Sequence, residues 1–489
     1  MSRPDLRGAD LRGADLGGAD RIGERRLGAR RLDLTSPRRI HIVGAGGAGM
    51  SAYTAILAEM GHVVSGSDVR EHPRLDRLRL LGVECTVPQR AANLPAELDA
   101  VVISSAVPMT NVEVQAAIER AIPVLSRADA LSAIVATRRG LGVAGTHGKT
   151  TTSSMITLIL RAAGMHPSFL IGSELNEVGA NEALDRGEWL VVEADESDGT
   201  FLELPLEAGL VTNVDNDHLW YWGTMDRLRD AFTQFVGSLE RLAVLCADDP
   251  LLAELAAARA GTVTYGLIDG ARYRAVDYLG GPTGSRFTLV VDGEACGEVQ
   301  LPIIGRHHAQ NAAGAAAMTM ELGCDFETVR GALAGFGGVA RRFQHRGEFD
   351  GVAIIDDYAL LPVEVRATIG AAREAGYRKV IAVFQPFRYA RTEVMWRDFA
   401  DAFVGADQVV LTDVCGFHES PIPGITGELL VQAVLDAHPD QRVAYFPHRS
   451  ELADLVPVYA RRGDVILTLG GGDITTLGDE LLARADRRR

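Results

Sequence analysis

The sequence has no uninterrupted apolar stretch of the roughly 18 residues that a membrane-spanning helix needs, and no apolar signal-peptide segment near its start. Its five cysteines are scattered and form no Cys-x-x-Cys pair, which argues against a disulfide framework and against a zinc site. Positive charge is scarce as well, because 49 basic residues face 65 acidic ones and the formal net charge is −16. These absences exclude a membrane span and a nucleic-acid-binding surface, and they favour a cytoplasmic globular protein.

The first 36 residues differ in composition from the rest of the chain. Residues 6–20 repeat a five-residue unit of the Leu-Arg-Gly-Ala-Asp type three times, and an arginine-rich run follows as far as Arg31. Three copies are too few to stack into a stable solenoid. We therefore expect residues 1–36 to be a disordered tail, and we assign it no function.

From residue 37 onward, short β-branched runs alternate with longer amphipathic stretches, a pattern that predicts parallel sheets covered by helices. The alternation occurs in three successive series, and near residues 287–303 its period becomes that of antiparallel strands. An α/β protein with three domains is expected. The predicted domains are residues 37–136, 137–338 and 339–489.

A phosphate-binding loop is predicted between the strand at residues 141–144 and the helical run at 153–163. Backbone N–H groups of such a loop bind phosphates, its lysine meets the β- and γ-phosphate charge, and its threonine reaches Mg²⁺. The spacing departs from the usual Walker A form, and the alternative interpretation is a turn with an incidental lysine. The expected ATP-binding residues are Gly145, Thr146, His147, Gly148, Lys149, Thr150 and Thr151.

A second glycine-rich loop follows the first predicted strand and opens a helix. Its glycines are Gly44, Gly46, Gly47 and Gly49, and Asp68 lies near the end of the next strand. This spacing is typical of dinucleotide sites, in which a pyrophosphate lies at the helix N-terminus. A UDP-sugar carries the same pyrophosphate, so the loop alone does not identify the nucleotide.

Two acidic segments follow successive predicted strands of the central domain. One covers residues 193–198 and the other residues 213–218. Single acidic residues at strand ends are more often caps, but two such segments beside a phosphate loop favour a metal site. Mg²⁺ prefers carboxylate and phosphate oxygens, so Mg²⁺ is the expected ion.

From residue 38 to about 485 the chain resembles the Mur ligase family. The resemblance implies a Rossmann-like UDP-sugar-binding domain, a central P-loop ATPase domain and a C-terminal Rossmann-like ligase domain. Within the family, the chain is most similar to the enzymes that join L-alanine to UDP-N-acetylmuramate. The matching segments are 44–50, Gly66-Ser67-Asp68, Ser104-Ser105-Ala106, 145–152, 193–198, 213–218, 305–311, Arg341-Arg342-Phe343, Asp356-Asp357-Tyr358, 388–391 and 469–473.

The resemblance also implies roles for single residues. Lys149 and Thr150 would bind the ATP phosphates and Mg²⁺, Glu193 and His218 would be further metal ligands, and Asn311 would contact the adenine. The glycines at 44–49, with Asp68 and Ser105, would bind the UDP-sugar. The implied C-terminal residues are Arg342 and Asp357 for the nucleotide, and Tyr358, Leu360, Phe387, Arg388 and Arg391 for the amino acid.

The implied reaction has two steps. A substrate carboxylate attacks the γ-phosphate of ATP, while Mg²⁺ and Lys149 offset the developing charge. An amine then attacks the acyl phosphate and phosphate leaves. The implied partners are small molecules, namely a UDP-sugar carboxylate and an amino acid, and the chain is expected to be a monomer or a weak dimer.

Several positions depart from the family pattern, mostly around the incoming amino acid. Ala359-Leu360-Leu361 stands where the family usually has Gly-His-His, and Phe387 stands where it usually has His. Trp220-Tyr221-Trp222 follows His218-Leu219 where the family usually carries Asp, and His308 replaces an Asn. Losing imidazoles makes the pocket more apolar and removes hydrogen-bonding groups.

These departures leave alternatives open. The chain is either a ligase for L-alanine whose pocket has drifted, or a paralogue that accepts a different amino acid or carboxylate. A non-catalytic nucleotide binder is a further alternative, and retention of Lys149, Glu193, His218, Arg342 and Asp357 argues against it. An NAD-dependent oxidoreductase would explain the first glycine loop but not the Lys149 loop or the acidic segments.

Overall fold

The computed structural model of the chain describes residues 32–104, 106–417 and 419–488. Most of the predicted tail (residues 1–31) and Ser105 of the predicted UDP-sugar site lie outside the described residues. Leu34 is 7% exposed and packs with Leu32 against the hydrophobic core. The predicted α/β architecture with three domains is confirmed, since the strands form three separate sheets.

The first sheet is parallel and has five strands. Its elements are β1 (Arg39–Val43), α1 (Ala48–Glu59), β2 (Val63–Ser67), α2 (Pro73–Leu80), β3 (Glu84–Thr86), β4 (Ala100–Ile103), α3 (Val112–Glu119), β5 (Val124–Ser126) and α4 (Arg127–Val135). The strand order is β3-β2-β1-β4-β5, so the order reverses direction at β1. This reversal places the loop after β1 where Rossmann-like folds bind nucleotides.

The central sheet is mixed and has ten strands, β6 (Arg139–Ala144), β7 (Ser168–Leu175), β8 (Ala180–Ala183), β9 (Trp189–Glu193), β10 (Leu206–Val211), β11 (Leu242–Cys246), β12 (Val263–Gly266), β13 (Tyr273–Gly281), β14 (Gly284–Val291) and β15 (Glu294–Leu301). Its order is β15-β14-β13-β12-β11-β10-β6-β9-β7-β8. The strands near residues 287–303 pair antiparallel, as predicted. The helices around this sheet are α5 (Lys149–Ala162), α6 (Leu219–Trp222), α7 (Met225–Ser238), α8 (Pro250–Ala258), α9 (Arg306–Glu321) and α10 (Phe326–Ala334).

The third sheet has six strands and forms the C-terminal domain. Its elements are β16 (Gln344–Phe349), β17 (Val352–Asp357), α11 (Pro362–Glu374), β18 (Val380–Gln385), α12 (Tyr389–Met395), β19 (Gln408–Leu411), α13 (Glu428–Ala437), β20 (Val443–Tyr445), α14 (Leu452–Leu455), β21 (Val465–Gly470) and α15 (Thr476–Arg488). The order is β16-β17-β21-β18-β19-β20, and only β16 among these strands runs antiparallel to its neighbour. Strands β17, β18 and β21 are buried along their whole length, which explains their continuous apolar runs.

Side-chain contacts join the three sheets. Arg127 at the start of α4 approaches Asp198 of the central domain at 3.2 Å. Tyr278 of β13 donates its hydroxyl to Glu374 of α11 at 2.7 Å. Over the described residues, every helix is too short or too polar to cross a bilayer.

Candidate active site

The phosphate loop joins the end of β6 to the start of α5. Gly145 (φ 122°) and Gly148 (φ 82°) adopt backbone conformations that L side chains rarely reach. A Cβ at position 148 would lie 2.8 Å from Asn311 Oδ1, and one at position 145 would collide with the side chain of Thr212. Both glycines are therefore required, and the first N–H groups of α5 have no acceptor within the helix, as is general at helix N-termini, where anions bind readily.

Two residues that follow β10 hold this loop in place. Thr212 Oγ1 donates to the His147 carbonyl at 2.6 Å, and Asn213 Oδ1 accepts from the His147 N–H at 2.8 Å. The backbone N–H of Thr146 donates to the Asn213 carbonyl at 3.1 Å. Sequence reasoning placed Asn213 at the start of an acidic segment and missed Thr212, although a polar pair after the neighbouring strand was the available signal.

Lys149 is surrounded by acceptors of the chain itself. Its ammonium donates to Glu196 Oε2 at 2.8 Å and to the Gly145 carbonyl at 2.6 Å. The Lys149 side chain is 14% exposed and that of Glu196 is 1% exposed. Burial raises the pKa of Glu196 to about 7 against the opposing charge of Lys149. Burial also opposes the charge on Lys149, but Glu196 and Asp195 outweigh it and raise the pKa of the ammonium.

The carboxylates of the first acidic segment, residues 193–198, contact different partners. Glu193, the last residue of β9, accepts from the Gly172 N–H at 2.6 Å, and burial raises the pKa of its carboxyl. A Cβ at position 172 would lie 2.9 Å from Glu193 Oε2, so the glycine permits this approach. Glu196 pairs with Lys149, whereas Asp198 faces Arg127. The Thr150 hydroxyl works against burial and lowers the pKa of Glu193.

His218 lies at the start of α6 with a left-handed backbone (φ 56°). Its Nε2 is 3.2 Å from Asp217 Oδ2, and its buried Nδ1 has no hydrogen-bond partner among the described residues. Burial lowers the pKa of His218, which favours the neutral imidazole that binds metals. Across the described residues, no three His, Cys, Asp or Glu side chains form a metal cluster, so the protein donors here are few.

His147 connects the phosphate loop to the C-terminal domain. Its Nδ1 is 3.0 Å from Glu364 Oε1 and its Nε2 is 3.1 Å from Asp215 Oδ2. Burial opposes a charge on the ring, but the hydrogen bonds of Asp215 and Glu364 outweigh it and raise the pKa of His147 to about 9. Burial likewise works against the Glu364 carboxylate, but His147 lowers its pKa to about 2.

Glu364 was not predicted as a site residue. It lies in the first turn of α11, and its Oε2 also accepts from the backbone N–H groups of Leu360 at 2.7 Å and Leu361 at 3.1 Å. An acidic residue at this position is ordinarily interpreted as a helix cap, and Glu364 does serve as one. No local sequence signal separates that role from its contact with His147, which is 217 residues away along the chain.

The start of α9 lies against the phosphate loop. Asn311, which the resemblance assigns to the adenine, is buried beside Gly148. The rings of His307 and His308 are 4.0 Å apart, and burial lowers the pKa of His307 to about 4. His308 Nδ1 is buried and has no hydrogen-bond partner in the described part of the chain.

Arg342 and Asp357 meet where the C-terminal domain begins. Asp357 Oδ2 accepts from the Phe343 N–H at 2.9 Å, and burial raises the pKa of Asp357 to about 7 against the charge of Arg342. The Arg342 guanidinium lies 5.5 Å from the ring of Tyr358 and forms no hydrogen bond or ion pair with any described residue. Arg341 is held instead, because it donates to the Gly470 carbonyl at 2.7 Å.

The two arginines predicted to bind the amino-acid carboxylate have different surroundings. Arg391 is buried and lies 3.3 Å from Asp217 of the central domain. Arg388 (φ 72°) pairs with no carboxylate among the described residues, and its guanidinium lies 5.9 Å from the rings of both Trp220 and Phe387. Arg388 is therefore the more available of the two for an incoming carboxylate.

The first glycine loop lies on the N-terminal sheet, apart from these residues. The backbone N–H of Gly44 donates to the Ser67 carbonyl at 2.8 Å, and the N–H of Gly46 donates to Asp68 Oδ2 at 2.9 Å. Gly47 is the N-cap of α1, so the helix opens inside the motif as predicted. Gly49 has open space around its Cα, so packing does not require a glycine there.

Sequence models of three Mur ligase domains match the chain in order. The model of the Mur ligase family catalytic domain matches residues 39–139, that of the Mur ligase middle domain matches 143–319, and that of the Mur ligase glutamate ligase domain matches 341–472. These matches confirm the resemblance inferred from the short motifs. They leave no support for the oxidoreductase interpretation.

Relatives and solved structures agree with the domain matches. UDP-N-acetylmuramate–L-alanine ligase of Rubrobacter xylanophilus is 42% identical over 452 residues, which cover 91% of this chain and 100% of that protein. The same-named enzyme of Desulforamulus reducens is 39% identical over 457 residues, 92% of this chain and 98% of that protein. The crystal structure of UDP-N-acetylmuramate–alanine ligase from Thermotoga maritima superposes with a TM-score of 0.79 at 28% identity, covering 92% of this chain and 100% of that one.

A more distant structure, the MurF ligase of Thermotoga maritima in complex with ADP, shares the fold with a TM-score of 0.61 at 17% identity and covers 94% of this chain and 100% of that one. Three domain matches in order and relatives above 30% identity over nearly the whole chain show that this protein belongs to the Mur ligase family, as an ATP-dependent ligase that forms amide bonds.

Proposed function

We propose that this chain joins an amino acid to the carboxylate of UDP-N-acetylmuramate, with ATP and Mg²⁺. The observation that carries the proposal is the meeting of two domains at the phosphate loop, where His147 contacts Glu364 of the C-terminal domain. That contact brings the C-terminal domain, proposed to bind the amino acid, against the loop proposed to bind ATP. The names of the relatives supply the sugar nucleotide and make L-alanine the first amino acid to test.

The proposed division of labour follows the three sheets. The domain at residues 37–136 binds the UDP-sugar through Gly44, Gly46, Gly47, Gly49, Asp68 and Ser105. The domain at 137–338 binds ATP through residues 145–151 and Asn311. The domain at 339–489 supplies Arg342 and Asp357 to the nucleotide, and Arg388 to the amino-acid carboxylate. The proposed boundaries fall between the sheets.

The residues at the strand ends fit Mg²⁺. Thr150 and Glu193 offer oxygen atoms, and the buried, unpartnered Nδ1 of His218 is a nitrogen donor. Mg²⁺ usually keeps several waters and phosphate oxygens, so a few protein donors suffice. Bound there, the ion would neutralise charge on the phosphates.

The residues act in the following order. The substrate carboxylate attacks the γ-phosphorus, the bond to the β-phosphate oxygen breaks, and Lys149 stabilises the charge on the transferred group. Arg388 holds the amino acid by its carboxylate, so that its free amine faces the acyl phosphate. The C–N bond then forms, the C–O bond to phosphate breaks, and the amine loses a proton. Closure of the C-terminal domain excludes water, which would otherwise hydrolyse the acyl phosphate.

Phosphate release tests the proposal directly. The purified full chain is supplied with ATP, Mg²⁺, UDP-N-acetylmuramate and a panel of amino acids, and the product is identified by its mass. We expect release that requires the sugar nucleotide and an amino acid together, and a product heavier than the sugar nucleotide by one amino-acid residue.

Two results would overturn the proposal. One is release that ignores the sugar nucleotide, which would assign another carboxylate. The other is saturable ATP binding without release for any amino acid, which would leave a nucleotide binder. We further expect the chain to sediment as a monomer or a weak dimer and to work in the cytoplasm.

A further inference from the structure

The surface around Arg388 is apolar to an unusual degree for a site that binds an amino acid. The guanidinium lies 5.9 Å from the rings of Trp220 and Phe387, and Leu360 and Phe417 lie next to Phe387. We call these four side chains the apolar cluster. Two of them are open to solvent, since Trp220 is 46% exposed and Phe417 is 62% exposed. Exposed aromatic rings close to an unpaired charged group are more typical of a binding surface than of a core.

The cluster is continuous across two domains. A Cβ built on Gly471 would lie 2.7 Å from the Phe387 ring and 2.9 Å from Leu360 Cδ2, so these two side chains meet over that glycine. The rings of Phe387 and Phe417 are 5.6 Å apart. Trp220, from the central domain, lies 5.9 Å from the guanidinium of the same arginine.

The charge of Arg388 indicates where the carboxylate of a substrate would bind. The guanidinium of Arg388 is 5.9 Å from the rings of both Trp220 and Phe387 and pairs with no described carboxylate, so it is available to a carboxylate. The ring of Trp220 lies 4.6 Å from His218, at the proposed metal site. A carboxylate on Arg388 would thus be close to Trp220, which contacts His218, and to the 8% exposed Phe387, which lies beside the exposed ring of Phe417.

We propose, on the basis of the function proposed above, that the amine substrate is an amino acid with a large apolar side chain, of the size of leucine or phenylalanine. Its carboxylate binds Arg388 and its side chain packs on the apolar cluster and covers the exposed ring of Phe417. The methyl group of L-alanine offers much less apolar surface to cover these rings than a leucine or phenylalanine side chain does. A polar side chain would lose hydrogen bonds to water that this surface cannot replace.

Competition between amino acids tests the proposal. The kcat/KM for phosphate release with UDP-N-acetylmuramate is compared for L-leucine, L-phenylalanine, L-alanine and L-serine. We expect at least one of the two large apolar amino acids to exceed L-alanine by about tenfold or more, because each buried methylene contributes roughly a tenfold factor or more. A kcat/KM for L-alanine that exceeds the values for both L-leucine and L-phenylalanine would overturn the proposal. It would leave the proposed ligase function intact.

Matched variants locate the effect on the cluster. Phe417→Ala removes an exposed ring, so we expect the preference for the large side chain to fall by about tenfold. Val458→Ala removes a 71% exposed apolar side chain of the same domain, outside the cluster, and should leave the preference unchanged. An unchanged preference in Phe417→Ala would contradict the assignment of Phe417 to the amino-acid site.

A binding measurement separates this proposal from the reaction. If no amino acid supports phosphate release, the proposed function fails. The affinity of the full chain for L-leucine and for L-alanine can still be measured by calorimetric titration in the presence of a non-hydrolysable ATP analogue. Tighter binding of L-leucine supports the apolar amino-acid site. Equal or tighter binding of L-alanine overturns it.

Discussion

Lys149 is one of two lysines in the whole sequence, the other being Lys379 just before β18. This scarcity makes the phosphate-loop ammonium easy to follow by chemistry. We expect ATP to protect Lys149, but not Lys379, from a lysine-acylating reagent, as measured by peptide mass spectrometry. Equal labelling of both lysines with and without ATP would place the nucleotide elsewhere.

Removal of the Lys149 ammonium should abolish the reaction. We expect Lys149→Met to lower ATP-dependent phosphate release by about 10³-fold or more, because a preorganised charge at the transferred group supplies several kcal/mol. Lys379→Met is the matched control and should retain activity. Because burial already raises the pKa of Glu196 to about 7, loss of its partner should leave that carboxyl protonated at neutral pH, so the variant should fold.

Asp357 should make stability depend on pH. Burial raises its pKa to about 7, so the folded chain holds this proton more tightly than the unfolded chain does. Stability from this group is therefore lost as pH rises from about 4 through about 7. We expect the Tm of Asp357→Asn to fall less than that of the unaltered chain between pH 5 and pH 8. Asp440→Asn, at an exposed position, should follow the unaltered chain.

Whether a site residue can be predicted from the sequence depends on whether its position is fixed by neighbouring residues or by contacts with a distant segment. Lys149, Thr150 and Glu193 are predictable because a loop or a strand end fixes their position locally. Glu364 is not, because its functional contact depends on how the C-terminal domain packs on the phosphate loop. The partner of Arg391 was unpredictable for the same reason, since Asp217 belongs to another domain.

At the scale of elements, α11 and the phosphate loop are connected through Glu364 and His147. We expect Glu364→Gln to lower kcat/KM for ATP by about tenfold or more, because a hydrogen bond to a charged group contributes about 1.5–3 kcal/mol. Arg373→Gln on the same helix breaks a pair with Asp407 inside the C-terminal domain and should have little effect on kcat/KM.

The same pair predicts a pH window. The pKa of His147 is raised to about 9, so its contribution is complete below about pH 6.5 and is lost as pH rises through 9. The pKa of Glu364 is lowered to about 2, so its contribution is complete above about pH 4.5 and is lost as pH falls through 2. The loss of Tm in Glu364→Gln should therefore be larger at pH 6 than at pH 9.5; an equal loss at both values would contradict the ion pair.

The elements themselves follow closely from local patterns. Buried parallel strands such as β17 and β18 are continuous apolar runs, which is why the three series of strands were predictable. The start of α5 was placed four residues too late, at 153, whereas the helix begins at Lys149. Lysine and threonines in the first turn resemble loop sequence, and the left-handed Gly148 that starts the helix is visible only in the structure.

At the scale of the molecule, two charged pairs near the phosphate loop join the C-terminal domain to the central one, namely His147–Glu364 and Asp217–Arg391, in addition to the Tyr278–Glu374 hydrogen bond. Asp217→Asn leaves the Arg391 guanidinium buried without a countercharge, which costs about 3–5 kcal/mol. We expect the Asp217→Asn, Glu364→Gln double variant to open, with a larger radius of gyration by small-angle X-ray scattering than either single variant. An unchanged radius would show that other contacts suffice for closure.

The pairing of Lys149 with Glu196 affects how a nucleotide phosphate would bind at the phosphate loop. An arriving phosphate must replace a carboxylate that the protein already holds, so nucleotide binding is an exchange of anions in which Glu196 is the displaced one. Glu196 belongs to the segment whose Asp195 and Asp198 face Arg127 at the start of α4. The carboxylate that pairs with Lys149 and the two that face α4 therefore lie within four consecutive residues, so one short segment connects the phosphate loop to the edge of the N-terminal domain.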